Sequence, residues 1–119
     1  MCRAALLATT TLVLLASFAH GEEFRQLNFL LFEAAQNGRT EEVVELLKQG
    51  ASVEARDRFG NTALLLAART SRVKMIRALI EAGPEIDQQN LAGSTALLRA
   101  TTSGRTRTAK ALLKARADA

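Results

Sequence analysis

Few side chains in this 119-residue chain are equipped for covalent or metal chemistry. Its single histidine is His20 and its single cysteine is Cys2, so the remainder from Gly21 onward contains neither residue type. A catalytic nucleophile needs a base beside it, and zinc needs nitrogen or sulfur ligands. Neither chemistry is therefore expected, and no catalytic residue, metal ligand or cofactor is assigned. No G-x-S-x-G, G-x-G-x-x-G or G-x-x-x-x-G-K-[ST] occurs. The acid pair Glu41-Glu42 is adjacent in sequence, so its two carboxylates point apart on a helix and suit shared acid–base work poorly. At a helix N-terminus they read instead as charges placed where the dipole favours them.

Two other groups of side chains could bind rather than react. The first is the cation set Arg99, Arg105, Arg107, Lys110 and Lys114, which suits an anion. The net charge of +4 conceals a gradient. From Glu22 to Arg56 seven acids face four bases, whereas from Asn90 onward six bases face only Asp118. Such asymmetry either steers charged partners or is a solvated charged end. No aromatic platform accompanies the cations, so stacking on nucleic acid is not expected. The second is Phe59, an aromatic in the turn-forming run Asp57-Arg58-Phe59-Gly60, which either meets a partner or packs against Leu91.

The elements that position these residues come from a repeat. Displacing the chain by 33 positions brings Gly60 onto Gly93, Thr62 onto Thr95, Leu64 onto Leu97 and Leu79 onto Leu112; the reverse shift brings Gly83 onto Gly50 and Leu79 onto Leu46. A fixed period of this size marks a stacked array. In the middle unit Asp57 and Gly60 take the first and fourth places of a type I turn. Thr62 follows as an N-cap for a short inner helix reaching Arg69. Ser71-Arg72 breaks the chain before a second helix over 73–82, whose Met75, Ile76, Leu79 and Ile80 form one apolar stripe. Gly83 ends that helix in a left-handed conformation, and Pro84 prevents it from resuming. Both helices are shorter than the ~12–15 residues needed for marginal stability alone, so the stripe must be buried against neighbouring units. Leu79 is central to it.

This pattern resembles the ankyrin repeat, with its 33-residue period and T-P-L-H-x-A signature. Here the signature stands as Thr62-Ala63-Leu64-Leu65-Leu66-Ala67 and Thr95-Ala96-Leu97-Leu98-Arg99-Ala100, with Ala for Pro and Leu for His. The resemblance implies an all-α, ankyrin-type α-solenoid of three helix-turn-helix repeats with projecting β-turn loops. It covers about 24–56, 57–89 and 90–119. Phe32, Leu65 and Leu98 share one register position and are expected to form a continuous apolar seam. The first unit, with an inner helix over 27–35 and Thr40-Glu41-Glu42 opening the second, reads as an acidic N-terminal cap. The third is more polar at Arg99, Thr101 and Thr108, with Ala109 in place of Ile76, and reads as a polar C-terminal cap. Arg116 standing where Gly50 and Gly83 stand leaves a truncated array as the alternative. Glu41, Lys74 and Arg107 share another position, and the cations there oppose the helix dipole, through drift or because an anion retains them.

Ankyrin-like stacks usually meet partners through turn tips and the free side of the inner helices. By position the resemblance selects Arg58, Phe59 and Asn61 in the middle tip, and Leu91, Ala92 and Ser94 in the next. On the inner helices it selects Gln36, Asn37, Arg69, Thr70, Thr102 and Ser103. It implies a noncatalytic protein-binding chain, monomeric alone, acting as adaptor, inhibitor or protective partner. The rival reading is an anion binder that recognises an acidic cell-envelope polymer, a lipid or a nucleic acid through the five cations above.

The N-terminus adds a location. Arg3 precedes an uncharged apolar run from Ala4 to Ala16, and small residues follow at cleavage spacing, before His20 or before Glu22. Residues 1–21 read as a signal peptide and 22–119 as the repeat domain, placing the mature chain in a secreted or periplasmic compartment. The run is short for the roughly 20 residues of a membrane span. An uncleaved anchor is the alternative.

Overall fold

In a computed structural model, which describes residues 20–118, six helices alternate between inner and outer positions. They are α1 His20–Gln36, α2 Thr40–Lys48, α3 Ala63–Ala67, α4 Val73–Glu81, α5 Ala96–Thr102 and α6 Thr106–Asp118. No strand occurs among the described residues. Of the expected signal peptide over 1–21, residues 1–19 lie outside the described residues, whereas His20 and Gly21 belong to α1.

Local chemistry sets the helix ends. Thr62 is extended, and its Oγ1 accepts the N–H of Leu65 at 3.3 Å. Thr95 does the same for Leu98 at 3.2 Å. Each cap satisfies an amide that the helix itself leaves without a partner, worth about 1 kcal/mol. Gly50 at φ 104° and Gly83 at φ 87° carry the chain out of α2 and α4, in the left-handed region that a side chain disfavours. Arg116 occupies the corresponding place in the third repeat. There α6 runs for 13 residues, against nine for α2 and for α4. Arg116 Nε then pairs with Asp87 at 3.3 Å, through side chains that are both more than half exposed.

The core lies between successive helix pairs. Val43, Met75, Ile76 and Leu79 are fully buried, as the stripe on the outer helices requires, although Ile80 of the same stripe is only half-buried; Leu65 of the inner helix α3 is 1% exposed. Ala34, Ala35, Ala67, Ala68 and Ala100 are also buried, the small inner-helix residues among which the larger outer-helix side chains pack. Against the expected polar C-terminal cap, Thr108 is fully buried and Ala109 nearly so. Thr108 donates its Oγ1–H to Thr70 O at 2.9 Å, so a hydroxyl takes the place of Met75 without an unmet hydrogen bond. Thr101 fits the outward reading, being exposed and bonded back to Leu97 O and Leu98 O, and Arg99 is half-buried. The expected seam is also interrupted. Leu65 is buried and Phe32 half-buried, but Leu98 is 49% exposed.

Candidate partner-binding surface

Two successive turns build the rim of a cleft. Asp57 Oδ1 accepts the N–H groups of Phe59 and Asn61, both at 2.9 Å. Gly60 N–H donates to Asp57 O at 3.0 Å, closing the turn that the Asp-x-x-Gly spacing predicts. One period later Asn90 Oδ1 accepts from Ala92 and Ser94 at 3.0 and 2.9 Å, and Gly93 N–H donates to Asn90 O. The turns are hooked together: Leu91 N–H donates to Phe59 O at 3.0 Å, and Asn90 Nδ2 donates to Asn61 Oδ1 at 2.9 Å. At Gly60, φ 76°, a Cβ would stand 3.0 Å from Leu91 N. Glycine is what allows the second turn to approach this closely.

The hooked tips hold Phe59 and Leu91 at 57% and 79% exposure. The Phe59 ring and the Leu91 side chain are therefore both largely in solvent, although their backbones are bonded. The Arg58 guanidinium lies 4.9 Å from the Phe59 ring centroid, a cation–π contact that presents a flat apolar face beside a charge. Behind the tips is a cleft of about 600 Å³, floored by Leu66 and Arg99 from the inner helices and bounded by Gln36 and Arg69. Arg99 Nη1 donates to Leu65 O at 3.2 Å. Burial, and then repulsion from Arg69, lower the Arg99 pKa from its ordinary value, while Asp57 opposes the shift. The guanidinium stays charged, since arginine titrates far above neutrality. The Asp57 carboxylate also lines the cleft and offsets part of the cationic field, so the two guanidiniums of Arg69 and Arg99 face an incoming carboxylate with one acid among them, beside an apolar lip.

Of the residues selected from sequence, Gln36, Phe59, Asn61, Arg69, Leu91, Ala92 and Arg99 line this cleft; Arg58 is outside the lining and stacks on Phe59. Asn61 must be corrected: it is 5% exposed, and its side chain is engaged by Asn90 and Asp57. Its side chain braces the tip from within. Thr70 is likewise drawn into the fold, donating its hydroxyl to Ala67 O at 2.7 Å and accepting from Arg72 N at 3.3 Å. Ser94 is half-buried and closes its turn, its N–H donating to Asn90 Oδ1 and its carbonyl accepting from Asn90 N–H. Thr102 is exposed but bonds back to Leu98 O and Arg99 O; Asn37 and Ser103 are exposed and outside the cleft lining.

Sequence reasoning missed Leu66, and with it the role of Arg99. Their shared register position reads Glu33, Leu66, Arg99. A place that accepts an acid, an aliphatic and a base in turn faces solvent, and that signal was available.

The five cations do not form one surface. Arg99 belongs to the cleft. Arg105 Nε donates to Arg69 O at 3.1 Å, in the loop between helices. Arg107, Lys110 and Lys114 instead line a groove with Val73 and Arg77 of α4. Among the described residues, no group of three or more His, Cys, Asp or Glu side chains could hold a metal ion. No described helix is long and apolar enough to cross a membrane.

Comparison with curated proteins finds no significant match. The family model for ankyrin repeats, three copies, matches residues 31–119. That span holds both turns and every helix except the first part of α1, and ankyrin repeats serve generally as protein–protein interaction modules. A helix-pair array repeating every 33 residues, with hooked turns and a match over most of the sequence, makes this chain a member of the ankyrin-repeat family.

Proposed function

We propose that the chain is a noncatalytic protein-binding unit that seats its partner across the cleft between the turn tips and the inner helices. The observation that carries this reading is the pair Phe59 and Leu91, held side by side in solvent by a backbone hydrogen bond. Aromatic side chains are enriched at the cores of protein interfaces, so Phe59 is the anchor, and Leu91 extends the apolar lip beside it. Arg69 and Arg99 behind them favour a partner that presents an apolar side chain together with a carboxylate. An open cleft rimmed by exposed tips suits a protein surface better than a small molecule, whose sites bury most of the ligand.

The reading of residues 1–21 as a signal peptide supports an exported compartment, secreted or periplasmic, in which the chain would act as adaptor, inhibitor or protective partner. Affinity capture from the exported fraction, with unmodified protein beside a Phe59→Ala, Leu91→Ala variant, tests the reading. Partners retained by the first and lost by the second support it. Equal retention by both refutes it.

A further inference from the structure

Between the outer helices α4 and α6 two adjoining depressions, of about 490 and 360 Å³, share Arg77, Ala111 and Lys114, and so form one groove. Its floor is apolar: Val73 and Ile80 from α4, Ile86 beyond it, and Ala111 from α6. The short Ala111 and Ala115 side chains on α6 help leave the trough open. Its rim is cationic. Arg107, Lys110 and Lys114 follow at intervals of three and four, which puts them on one face of α6 over roughly 10 Å. Arg77 faces them from α4, and Glu81 is the one carboxylate in the lining.

None of these four cations makes an ion pair among the described residues. The row is particular to this helix pair. The positions of Arg107, Lys110 and Lys114 are held by Glu41, Val44 and Lys48 in α2, and by Lys74, Arg77 and Glu81 in α4. Arg107 also stands in the first turn of α6, where a cation opposes the helix dipole.

We propose that this groove is a second docking site, for an acidic segment of a partner protein that lays carboxylates along the cationic rim and an apolar side chain on the Ala111 floor. Both halves of the groove require that occupant. A flat anionic membrane would meet the rim and leave the floor empty. Nucleic acid would find no aromatic side chain in the lining on which to stack. A small anion would meet cations spread along a helix rather than converging on one point. The groove shares no lining residue with the cleft behind Phe59, so either site can fail without the other.

The test uses the full chain at low salt and a dye-labelled peptide of alternating Glu pairs and Leu pairs, read by fluorescence anisotropy. The groove predicts saturable binding that weakens at least about tenfold in a Lys110→Glu, Lys114→Glu variant and is unchanged in Lys48→Glu, an exposed lysine outside the linings of both the groove and the cleft. Arg77→Gln gives a second, milder loss, and circular dichroism verifies that each variant is folded. A peptide with Gln for each Leu should bind about tenfold more weakly, because it cannot use the floor. Any of four results would overturn the proposal. These are no binding of the Leu peptide, equal affinity in the Lys variant, equal affinity for the Gln peptide, or stronger competition by phosphatidylglycerol vesicles or oligothymidylate than by unlabelled peptide. Self-association of the chain that the peptide displaces would also overturn it, assigning the groove to a second copy.

Discussion

Replacing Gly60 by alanine should destabilise the protein considerably more than the same change at Gly93. Both glycines occupy the same turn position, with φ 76° and 78°. Forcing a residue with a Cβ into that conformation costs about 1–2 kcal/mol at either site. Their surroundings differ. At Gly93 nothing lies within 4 Å of the added carbon, whereas at Gly60 it would stand 3.0 Å from Leu91 N and 3.4 Å from Asn90 Cα. Those neighbours are backbone atoms and cannot rotate away. The second turn must withdraw, stretching the bonds from Leu91 N–H to Phe59 O and from Asn90 Nδ2 to Asn61 Oδ1. Two such bonds contribute about 0.5–1.5 kcal/mol each. Gly93→Ala should therefore cost about 1–2 kcal/mol, and Gly60→Ala about 2–5 kcal/mol. Urea unfolding followed by far-ultraviolet circular dichroism measures both, provided the slopes agree. Values for the two variants within about 0.5 kcal/mol of each other would refute the hooked-turn account, because the backbone term alone predicts equality.

Leu79→Ala should cost about 2–5 kcal/mol in the same assay, since Leu79 is wholly buried between helix pairs; an unshifted midpoint would contradict the packing. Phe59→Ala should leave stability within about 0.5 kcal/mol while weakening a captured partner at least about tenfold, and a large stability loss would make Phe59 part of the core. Arg116→Ala removes only an exposed pair with Asp87, so a change above about 1 kcal/mol would show that its role in α6 has been misjudged. Mass spectrometry of exported protein should find a mature start at His20 or Glu22; retention of Met1 would favour an anchor.

The helix pairs were legible because each end is marked by residues that act locally. Thr62 and Thr95 cap their own helices, and Gly50 and Gly83 end theirs, so neither needs a distant partner to be read. Leu79 was legible for a related reason, since its stripe has no other place to go. What escaped depends on distances between repeats. Asn61 and Asn90 were ordinary turn residues until Gly60 let the second turn close on the first. Thr108 looked like a polar surface substitution for Met75, but Thr70 O lies within reach of its hydroxyl, so it is buried at no loss of hydrogen bonding. The cations seemed one cluster because they are close in sequence. Arg99 is on an inner helix and Lys110 on an outer one, and they serve different surfaces.

Site-specific photo-crosslinking tests the central claim most directly. A benzoylphenylalanine is placed at Leu91, on the lip of the cleft, and in a separate variant at Gln49, which lines a depression at the first repeat. Irradiation in the exported fraction should join a discrete partner to the Leu91 variant and not to the Gln49 variant. Equal crosslinking at both positions, or crosslinking at Gln49 alone, would contradict a partner seated across the turn tips.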